Sequence, residues 1–365
     1  MSKIDTEIPD IYYNPQPLES YNSLFNFSIG ERGKGKTYYY AKKRPIERFL
    51  KNRIDIGGGK TQGEQFIYLR RHKNELKTLN TFFDDIRHEY PDHVLEVKNR
   101  VFYCDGEVMG YAIQLSTASM LKSTAYPFVQ SIVYDEFILE KGYIRYMDNE
   151  VNVFLNFYET VARLRPNVKA FFIGNAISLV NPYFVYWDIM PKKKERFTRV
   201  QKSIRKKSGR NLILVEIMQD DREDNSRESY RDFKEDTDFA EIIAGREYDM
   251  QANQNEFIHD TDDFIEKRTA ESKFLYSIIY GSVQYGVWID GGVGKLYVSN
   301  KIDINNTRIY AITTDDFKPN MFLVDNLSKY NGLMVMKKAF VNGYLMFDTL
   351  QIKSAMFEVM RLFGC

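Results

Sequence analysis

The sequence has 365 residues, 44% of them hydrophobic, and its 51 basic and 50 acidic residues leave a formal net charge of +1. A chain of this length and apolar content can bury more than one core. No apolar run approaches the ~18 residues that cross a bilayer, and the N-terminal segment carries acids where a signal peptide is apolar. Its two cysteines lie far apart and outside any ligand-spacing motif. We therefore expect no membrane partner and a reducing cytoplasmic location.

The first motif along the chain is Gly30-Glu31-Arg32-Gly33-Lys34-Gly35-Lys36-Thr37, which fills every fixed position of the phosphate-loop pattern Gly-x-x-x-x-Gly-Lys-Thr. The glycines let backbone amides converge on phosphates, Lys36 reaches the β- and γ-phosphates, and Thr37 offers a hydroxyl to Mg²⁺. The apolar run at 24–29 predicts a buried strand before the loop, and the residues after Thr37 can begin a helix. The sequence therefore predicts a site for ATP or GTP with Mg²⁺.

The first two hundred residues alternate strand-like and helical runs, which is typical of a doubly wound α/β sheet covered on both faces. Asp105-Gly106 predicts a hairpin turn between two of the strands. The predicted strands span 25–29, 65–69, 94–97, 100–103, 108–115, 129–134 and 168–173, and the predicted helices span 36–44, 74–89 and 150–163.

A second magnesium ligand and a water-activating group are predicted where the apolar run at 131–134 ends in Asp135-Glu136. A strand in this position would deliver Asp135 to the metal, and Glu136 could position or deprotonate the attacking water. An adjacent Asp-Glu pair is typical of ATPases that hydrolyse rapidly and convert hydrolysis into work. The strand at 168–173 leads to Asn175, our candidate for a sensor of the γ-phosphate.

Ring ATPases commonly complete each site with a cation from the neighbouring subunit, because charge in the transition state is then stabilised only after assembly. Arg163 and Arg165, at the end of a predicted helix, and Lys122, before the strand that ends in Asp135, are candidates for this role. Arg32, inside the phosphate loop, could instead act within its own subunit.

The charge distribution divides the rest of the chain. Residues 192–210 carry ten Lys or Arg and one Glu, and the stretch at 220–241 is mainly acidic. We predict an ATPase domain at 1–197, a charged linker or lid at 198–240, and a β-rich α+β domain at 241–365. In the last domain strands are expected at 274–280, 284–289, 295–298 and 308–313, followed by helices near 325–340 and 350–363.

Basic residues that could contact a nucleic acid lie at two places. An ATPase that tracks a nucleic acid independently of its sequence would bind the phosphate backbone rather than the bases. Such contacts are predicted after the strand at 65–69 and in the basic run, although each place could equally be an ordinary solvated edge. The candidate DNA contacts are Arg70, Arg71, Lys73, Lys192, Lys193 and Lys194.

Taken together, these segments resemble the DNA-packaging ATPases of the small tailed bacteriophages related to phi29, nearly from end to end. The resemblance is carried by the phosphate loop and by segments that follow one another in this order: 13–16 (YNPQ), 64–71 (EQFIYLRR), 122–127 (KSTAYP), 134–137 (YDEF), 175–184 (NAISLVNPYF), 264–268 (FIEKR), 286–288 (GVW), 313–316 (TTDD) and 342–345 (NGYL). The glycine-rich segment 57–63 departs from the family pattern as an insertion.

The resemblance implies a P-loop NTPase of the ASCE type, related to the ATPases of large terminases. It implies a homopentameric ring on the portal vertex of a viral procapsid, in the host cytoplasm, that drives double-stranded DNA inward by ATP hydrolysis. Lys122 and Arg163 would act in trans, and Gln16 would contact the adenine. The C-terminal domain would resemble a ribonuclease-H-type nuclease without cutting activity that docks on the procapsid or on a structural prohead RNA.

Two other functions stay open from sequence alone. A full terminase would carry an active C-terminal endonuclease, which needs three or four carboxylates around two metals ~4 Å apart. Most of the available C-terminal aspartates stand in turn-like contexts, which favours a docking domain. A nucleotide-switched capsid assembly factor would bind ATP without moving DNA.

Overall fold

The computed structural model describes residues 14–30, 33–139, 146–147, 149–175, 181–187, 189, 191, 195–200, 212–218, 263–281, 283–305 and 307–364. The chain divides into two compact units. The described part of the first unit lies within 14–175 and 191–218, and that of the second within 181–189 and 263–364. In both parts, no described helix is long and apolar enough to cross a bilayer.

The first unit contains one large sheet with helices and turns around it. Its helices are α1 (Gln16–Ser20), a π-helical segment (Tyr38–Lys43) that runs into α2 (Arg44–Lys51), and α3 (Glu150–Ala162). Its strands are β1 (Phe25–Gly30), β2 (Arg53–Gly57), β3 (Lys60–Gly63), β4 (Gln65–Arg70), β5 (Leu95–Lys98), β6 (Val101–Cys104), β7 (Glu107–Gln114), β8 (Val129–Asp135), β9 (Lys169–Asn175), β10 (Phe197–Val200) and β11 (Ile213–Ile217).

The nine-stranded sheet has the order β10-β11-β1-β9-β8-β4-β7-β6-β5, and the run from β11 to β7 is parallel. Strand β9 lies between β1 and β8, so the strand before the phosphate loop does not pair with the strand that ends in Asp135. Stacked and edge-to-face aromatic rings, including Phe27 against Phe172, fill the core beneath these strands. The parallel strands place their carboxyl ends along one edge, where α/β sheets bind ligands.

The seven predicted strands of this unit are confirmed, with ends shifted by at most two residues, and the Asp105-Gly106 turn joins β6 to β7. The predicted helix at 74–89 is wrong, because the segment forms short 3-10 turns instead (Lys73–Leu76, Leu79–Thr81 and Arg87–Glu89). Leu76, Leu79 and Phe82 are buried and recur every three residues, which is the period of a 3-10 turn.

The predicted boundary of the ATPase domain is also corrected. Strand β11 lies inside the segment predicted as a charged linker, is buried throughout, and pairs in parallel with β1. Strand β10 pairs with it in antiparallel orientation. The sheet of the first unit therefore extends beyond the predicted domain boundary at 197/198 and includes β10 and β11. Segment 57–63, predicted to be an insertion, forms part of an exposed two-stranded hairpin, β2–β3, with positive φ at Gly57, Gly58 and Gly59.

The second unit is a six-stranded sheet with helices, as predicted for a β-rich α+β domain. Its helices are α4 (Pro182–Trp187), α5 (Asn331–Val341) and α6 (Leu350–Leu362), and its strands are β12 (Lys273–Tyr280), β13 (Val283–Asp290), β14 (Lys295–Ser299), β15 (Ile309–Ala311), β16 (Phe322–Leu323) and β17 (Leu345–Phe347). The order is β16-β15-β12-β13-β14-β17. Strands β12, β13 and β14 form an antiparallel meander, and β15 and β17 pair in parallel at its two sides.

Candidate nucleotide-binding site

The phosphate loop leaves the carboxyl end of β1 at Gly30, which lies beside Asn175 of β9 in the sheet register. Gly33 and Gly35 have φ values of 83° and 82°, a left-handed conformation that favours glycine and turns successive amides toward one side. The buried Lys36 directs its Nζ onto the Gly30 carbonyl oxygen at 2.9 Å. The described part of the loop, Gly30 and residues 33–37, therefore packs around Lys36, the lysine that the sequence predicts to contact the phosphates.

The two predicted magnesium ligands meet at this loop. Thr37 Oγ1 lies 3.3 Å from Asp135 Oδ1 and 3.5 Å from Oδ2, although the residues are 98 positions apart. Asp135 is almost completely buried, and the Tyr68 hydroxyl donates to its Oδ2 at 2.8 Å. Hydroxyl and carboxylate oxygens are the ligands that Mg²⁺ prefers, so the residues present fit this ion. The carboxyl end of β8 therefore lies within reach of the end of the phosphate loop.

Glu136 follows Asp135 in a left-handed conformation, with φ of 55°. Its carboxylate accepts a hydrogen bond from Arg70 Nη2 at 2.6 Å, and Arg70 Nη1 donates to Asp135 at 3.2 Å. Removal from water raises the pKa of Glu136, the charge of Arg70 opposes this shift, and the neighbouring Asp135 adds to it. Arg70 therefore forms hydrogen bonds with both acidic residues of the predicted site, Asp135 and Glu136.

Arg71 is fully buried, and the prediction that it contacts DNA is wrong. Its guanidinium forms hydrogen bonds to both carboxylate oxygens of Glu150, at 2.7 and 3.0 Å. It also donates to the carbonyl oxygens of Glu136 and Phe137. Arg71 thus fixes the peptide that carries Glu136 to the first residue of α3. Arg70, whose side chain is 11% exposed, likewise turns to the acids of the site instead of forming a free basic edge.

The candidate trans-acting residues lie at the other end of the strands. Arg163 follows α3, is exposed, and donates to the Thr124 carbonyl oxygen at 3.1 Å, close to the exposed Lys122. Arg165, another candidate for this role, donates to the carbonyl oxygen of Val129, the first residue of β8. Strand β8 spans about 20 Å at ~3.3 Å per residue. Arg163 is therefore on the edge of the sheet opposite Asp135 and cannot reach the site of its own subunit.

The remaining predicted residues divide into described and undescribed ones. Gln16 is exposed at the start of α1, which Glu19 ties to Tyr39 and Arg44 of the helical segments after the phosphate loop, at 2.9 and 3.0 Å. Lys34 is partly exposed within the loop, and Lys73 is exposed after β4. Arg32 and the cluster Lys192, Lys193 and Lys194 lie outside the described residues.

Sequence reasoning missed the roles of Tyr68, Arg70, Arg71 and Glu150 around Asp135 and Glu136. Their contacts depend on β4 lying directly beside β8. The strand order of a parallel sheet is not encoded in the local pattern of any one strand. The phenol of Tyr68 within the apolar run at 66–69 was the one available signal, because a buried phenol usually has a hydrogen-bond partner.

Comparison with known proteins places the chain in a family. The model of the podovirus DNA encapsidation protein (Gp16) family matches residues 8–364. This chain belongs to the podovirus DNA encapsidation protein family. The DNA packaging protein of Bacillus phage phi29 is 41% identical over 351 residues, which is 96% of this chain and 97% of that protein. The DNA packaging protein of Bacillus phage B103 is 40% identical over 94% of this chain and 98% of that protein.

Solved structures agree with this membership in the encapsidation protein family. A chain of the bacteriophage phi29 viral genome packaging motor assembly superposes with a TM-score of 0.70 at 39% identity, and the match covers 97% of this chain and 99% of that one. The predicted resemblance to the packaging proteins of phi29-like phages is therefore confirmed. Since almost the whole of each relative is covered, both units of the chain belong to the shared family architecture.

Proposed function

We propose that this protein is an ATP-driven translocase of double-stranded DNA that packages a phage genome into a procapsid. The observation that carries the proposal is the approach of Thr37 to Asp135 at 3.3 Å beneath a folded phosphate loop, with Glu136 as the next residue. The relatives are named DNA packaging proteins, and one solved relative is a chain of a viral genome packaging motor. The names of the relatives favour DNA as the substrate, and the phosphate loop favours ATP hydrolysis as the energy source.

The nucleotide-binding residues fit ATP and Mg²⁺. The loop amides and Lys36 would hold the phosphates, Thr37 and Asp135 would hold the metal ion, and Asn175 would contact the γ-phosphate from β9. Bound Mg²⁺ would neutralise charge on the phosphates. We infer an ASCE-type P-loop fold, supported by β9 lying between β1 and β8 and by the acidic Glu136 directly after Asp135. Gln16 is our proposed adenine contact, on a helix that Glu19 ties to the segment after the loop.

Glu136 is the proposed base that activates the attacking water. A carboxylate with a raised pKa is a better base, provided that it is still ionised at the working pH. Arg70 keeps Glu136 ionised but also occupies its carboxylate. Attack on the γ-phosphate therefore requires Glu136 to exchange part of its contact with Arg70 for a contact with water.

The site needs a second subunit if Arg163 and Lys122 take part, since Arg163 contacts Thr124 in the segment that leads into the start of β8, whereas Asp135 is at the other end of this strand. A ring supplies these cations from the neighbour, so that hydrolysis in one subunit depends on assembly with the next. By resemblance we propose a homopentamer on the portal vertex of the procapsid, in the host cytoplasm. Arg32 stays a proposed contact within the subunit.

The second unit is proposed as a docking domain, derived from a ribonuclease-H-type fold, that binds the procapsid or its structural RNA. Its meander of three antiparallel strands with parallel strands at the sides supports this derivation. Two of its aspartates accept hydrogen bonds from neighbouring groups. Asp348 accepts hydrogen bonds from Ser299 and from the Arg268 amide, and Asp290 accepts from Thr269 and two amides. These contacts favour docking over an active terminase nuclease.

The deciding experiment measures ATP hydrolysis with and without duplex DNA, for the parent protein, Glu136→Gln and Arg163→Ala. We expect DNA to stimulate the parent and both variants to lose turnover. Mixtures of the two variants should recover part of it, because a subunit with an intact Glu136 then meets a neighbour with an intact Arg163. Turnover that ignores DNA would instead indicate a nucleotide-switched assembly factor. Nicking of DNA by the parent with Mg²⁺ or Mn²⁺ would indicate a full terminase.

A further inference from the structure

Leu164 is the most exposed large apolar residue among those described, with its side chain fully accessible to solvent. It has φ of 69°, and Arg163 before it has φ of 42°. Left-handed conformations cost an ordinary residue about 1–2 kcal/mol each. These two residues therefore adopt a costly conformation that leaves the Leu164 side chain in solvent. Burial of Leu164 within its own subunit does not offset this cost.

Arg165 fixes this strained turn. Its guanidinium donates five hydrogen bonds to main-chain carbonyl oxygens, at distances between 2.6 and 3.1 Å. The acceptors belong to two segments, the end of α3 and the loop that leads into β8, and they are Val161, Ala162, Tyr126, Pro127 and Val129. A planar fork with five fixed donors is specific to arginine. Arg165 therefore joins the segment that carries Arg163 to the segment that carries Lys122.

A second exposed apolar residue lies in the joined segment. Met120 is 82% exposed, at the end of the 3-10 helix Leu115–Leu121, which packs against α3. It stands two residues before Lys122 and four before Thr124, whose carbonyl oxygen accepts from Arg163. Two large apolar side chains and two cations are thus presented by one clamped structure. A single exposed apolar residue is ordinary, whereas a group of them rimmed by charge is typical of an interaction site.

The proposed ring brings Lys122 and Arg163 of one subunit to the nucleotide-binding face of the next. We propose that the exposed Met120 and Leu164 make the apolar part of that contact. These four residues are called the clamped surface. Leu164 is the apolar anchor, and Arg165 is the positioning residue that holds the surface in shape. This inference rests on the proposed function, since it explains how the trans-acting cations are delivered. The occupant follows from charge: the phosphates of ATP and the carboxylates of Asp135 and Glu136 are negative, which matches the two cations. Duplex DNA would match the cations but not Leu164 and Met120, because phosphate contacts use polar groups.

Leu164→Asn tests the anchor without endangering the fold. Asn tolerates a positive φ better than Leu does, so the variant should be at least as stable as the parent and should bind ATP equally well. Self-association, measured by sedimentation velocity over a concentration series with a non-hydrolysable ATP analogue, should weaken about tenfold. The protein concentration that gives half-maximal turnover should rise by a similar factor. The matched control is Ile304→Asn, since Ile304 is 87% exposed in the second unit, and we expect it to behave as the parent.

Equal self-association of Leu164→Asn and the parent would overturn the proposal, as would an equal loss in Ile304→Asn. A parent that stays monomeric over the whole concentration series would also overturn it. These outcomes differ from failure of the proposed function, in which the parent does not hydrolyse ATP in response to DNA.

Arg165→Lys tests the clamp, because it keeps the charge and loses the five-donor fork. We expect faster amide hydrogen exchange over 120–128, unchanged ATP binding, and loss of turnover. Mixing Arg165→Lys with Glu136→Gln subunits should restore part of the turnover, because the nucleotide site of the first and the clamped surface of the second are intact. A residue that only stabilises its own subunit would give no recovery in the mixture.

Discussion

Both units of this protein place an aspartate at the end of an apolar strand, and the partners of the two aspartates, among the described residues, come from different parts of the chain. In the first unit Asp135 ends β8 within a parallel sheet, next to Thr37, Tyr68 and Arg70, which come from other segments. In the second unit Asp290 ends β13 at a hairpin, and its Oδ1 accepts from the amides of the next turn. Parallel strands bring their carboxyl ends to one edge, whereas hairpin strands alternate. The topology around an aspartate, more than the aspartate itself, determines whether it meets partners from elsewhere in the chain.

The pKa shifts of Asp290 and of Glu136, the residue after Asp135, differ in the same way. Hydrogen bonds from Thr269 and from the backbone of its own turn lower the pKa of Asp290, as expected for a carboxylate that stabilises a turn. Glu136, beside Asp135, has a raised pKa because it is removed from water near a second acid. A raised pKa suits proton transfer, and a lowered pKa suits a permanent structural acceptor.

The largest expected effect comes from changing one carboxylate in each unit. Glu136→Gln keeps the shape of the side chain and removes the base, so turnover should fall by about 10²–10⁴-fold while ATP binding persists. Asp290→Asn should leave turnover within about twofold of the parent. Steady-state hydrolysis and nucleotide binding measured on the same preparations check both results. An active Glu136→Gln protein would remove Glu136 from the mechanism.

The next effect concerns two ion pairs, one that is buried in the first unit and one that is partly exposed in the second. Arg71→Met leaves Glu150 charged in an interior where both side chains are 0% exposed, and we expect a loss of about 3–5 kcal/mol in unfolding free energy. The side chains of Lys295 and Glu266 are 27% and 40% exposed. Lys295→Met breaks this pair and should lower the free energy of unfolding by less than about 1 kcal/mol. Urea unfolding followed by probes in each unit measures both. Similar losses would show that burial does not distinguish the pairs.

Much of the site could be predicted from sequence because the phosphate loop and the Asp135-Glu136 pair are local patterns at strand ends. The buried position of Arg71 could not be predicted. Arg70 and Arg71 are adjacent arginines at the end of a strand, and the sequence does not distinguish the one that enters the interior. Successive residues of a strand point to opposite faces, and nothing local says which face is occupied. Strand β11 was missed for another reason. Its apolar run, Ile213–Ile217, was read as part of a charged linker because the flanking residues are strongly basic and acidic.

The third prediction compares the pH dependence of turnover with and without Arg70. The base must be ionised, so activity is lost as the pH falls through the pKa of Glu136. Arg70 lowers that pKa against the effect of burial. Arg70→Ala should therefore move the acid limb of the pH profile to higher pH, and Lys295→Ala, in the second unit, should leave it unchanged. An acid limb that stays in place, or moves to lower pH, would mean that another group controls it.

The smallest effect is expected for DNA contacts. Among the described candidates, Lys73 is exposed, three residues after Arg70. Each phosphate contact adds about one to the slope of log binding constant against log salt concentration. Lys73→Ala should weaken duplex binding severalfold, equally for unrelated sequences, and reduce that slope by about one. Lys318→Ala, at an exposed lysine of the second unit, serves as the control and should change neither quantity. If the two variants bind alike, Lys73 is an ordinary solvated lysine, and the DNA path runs over other residues of the ring.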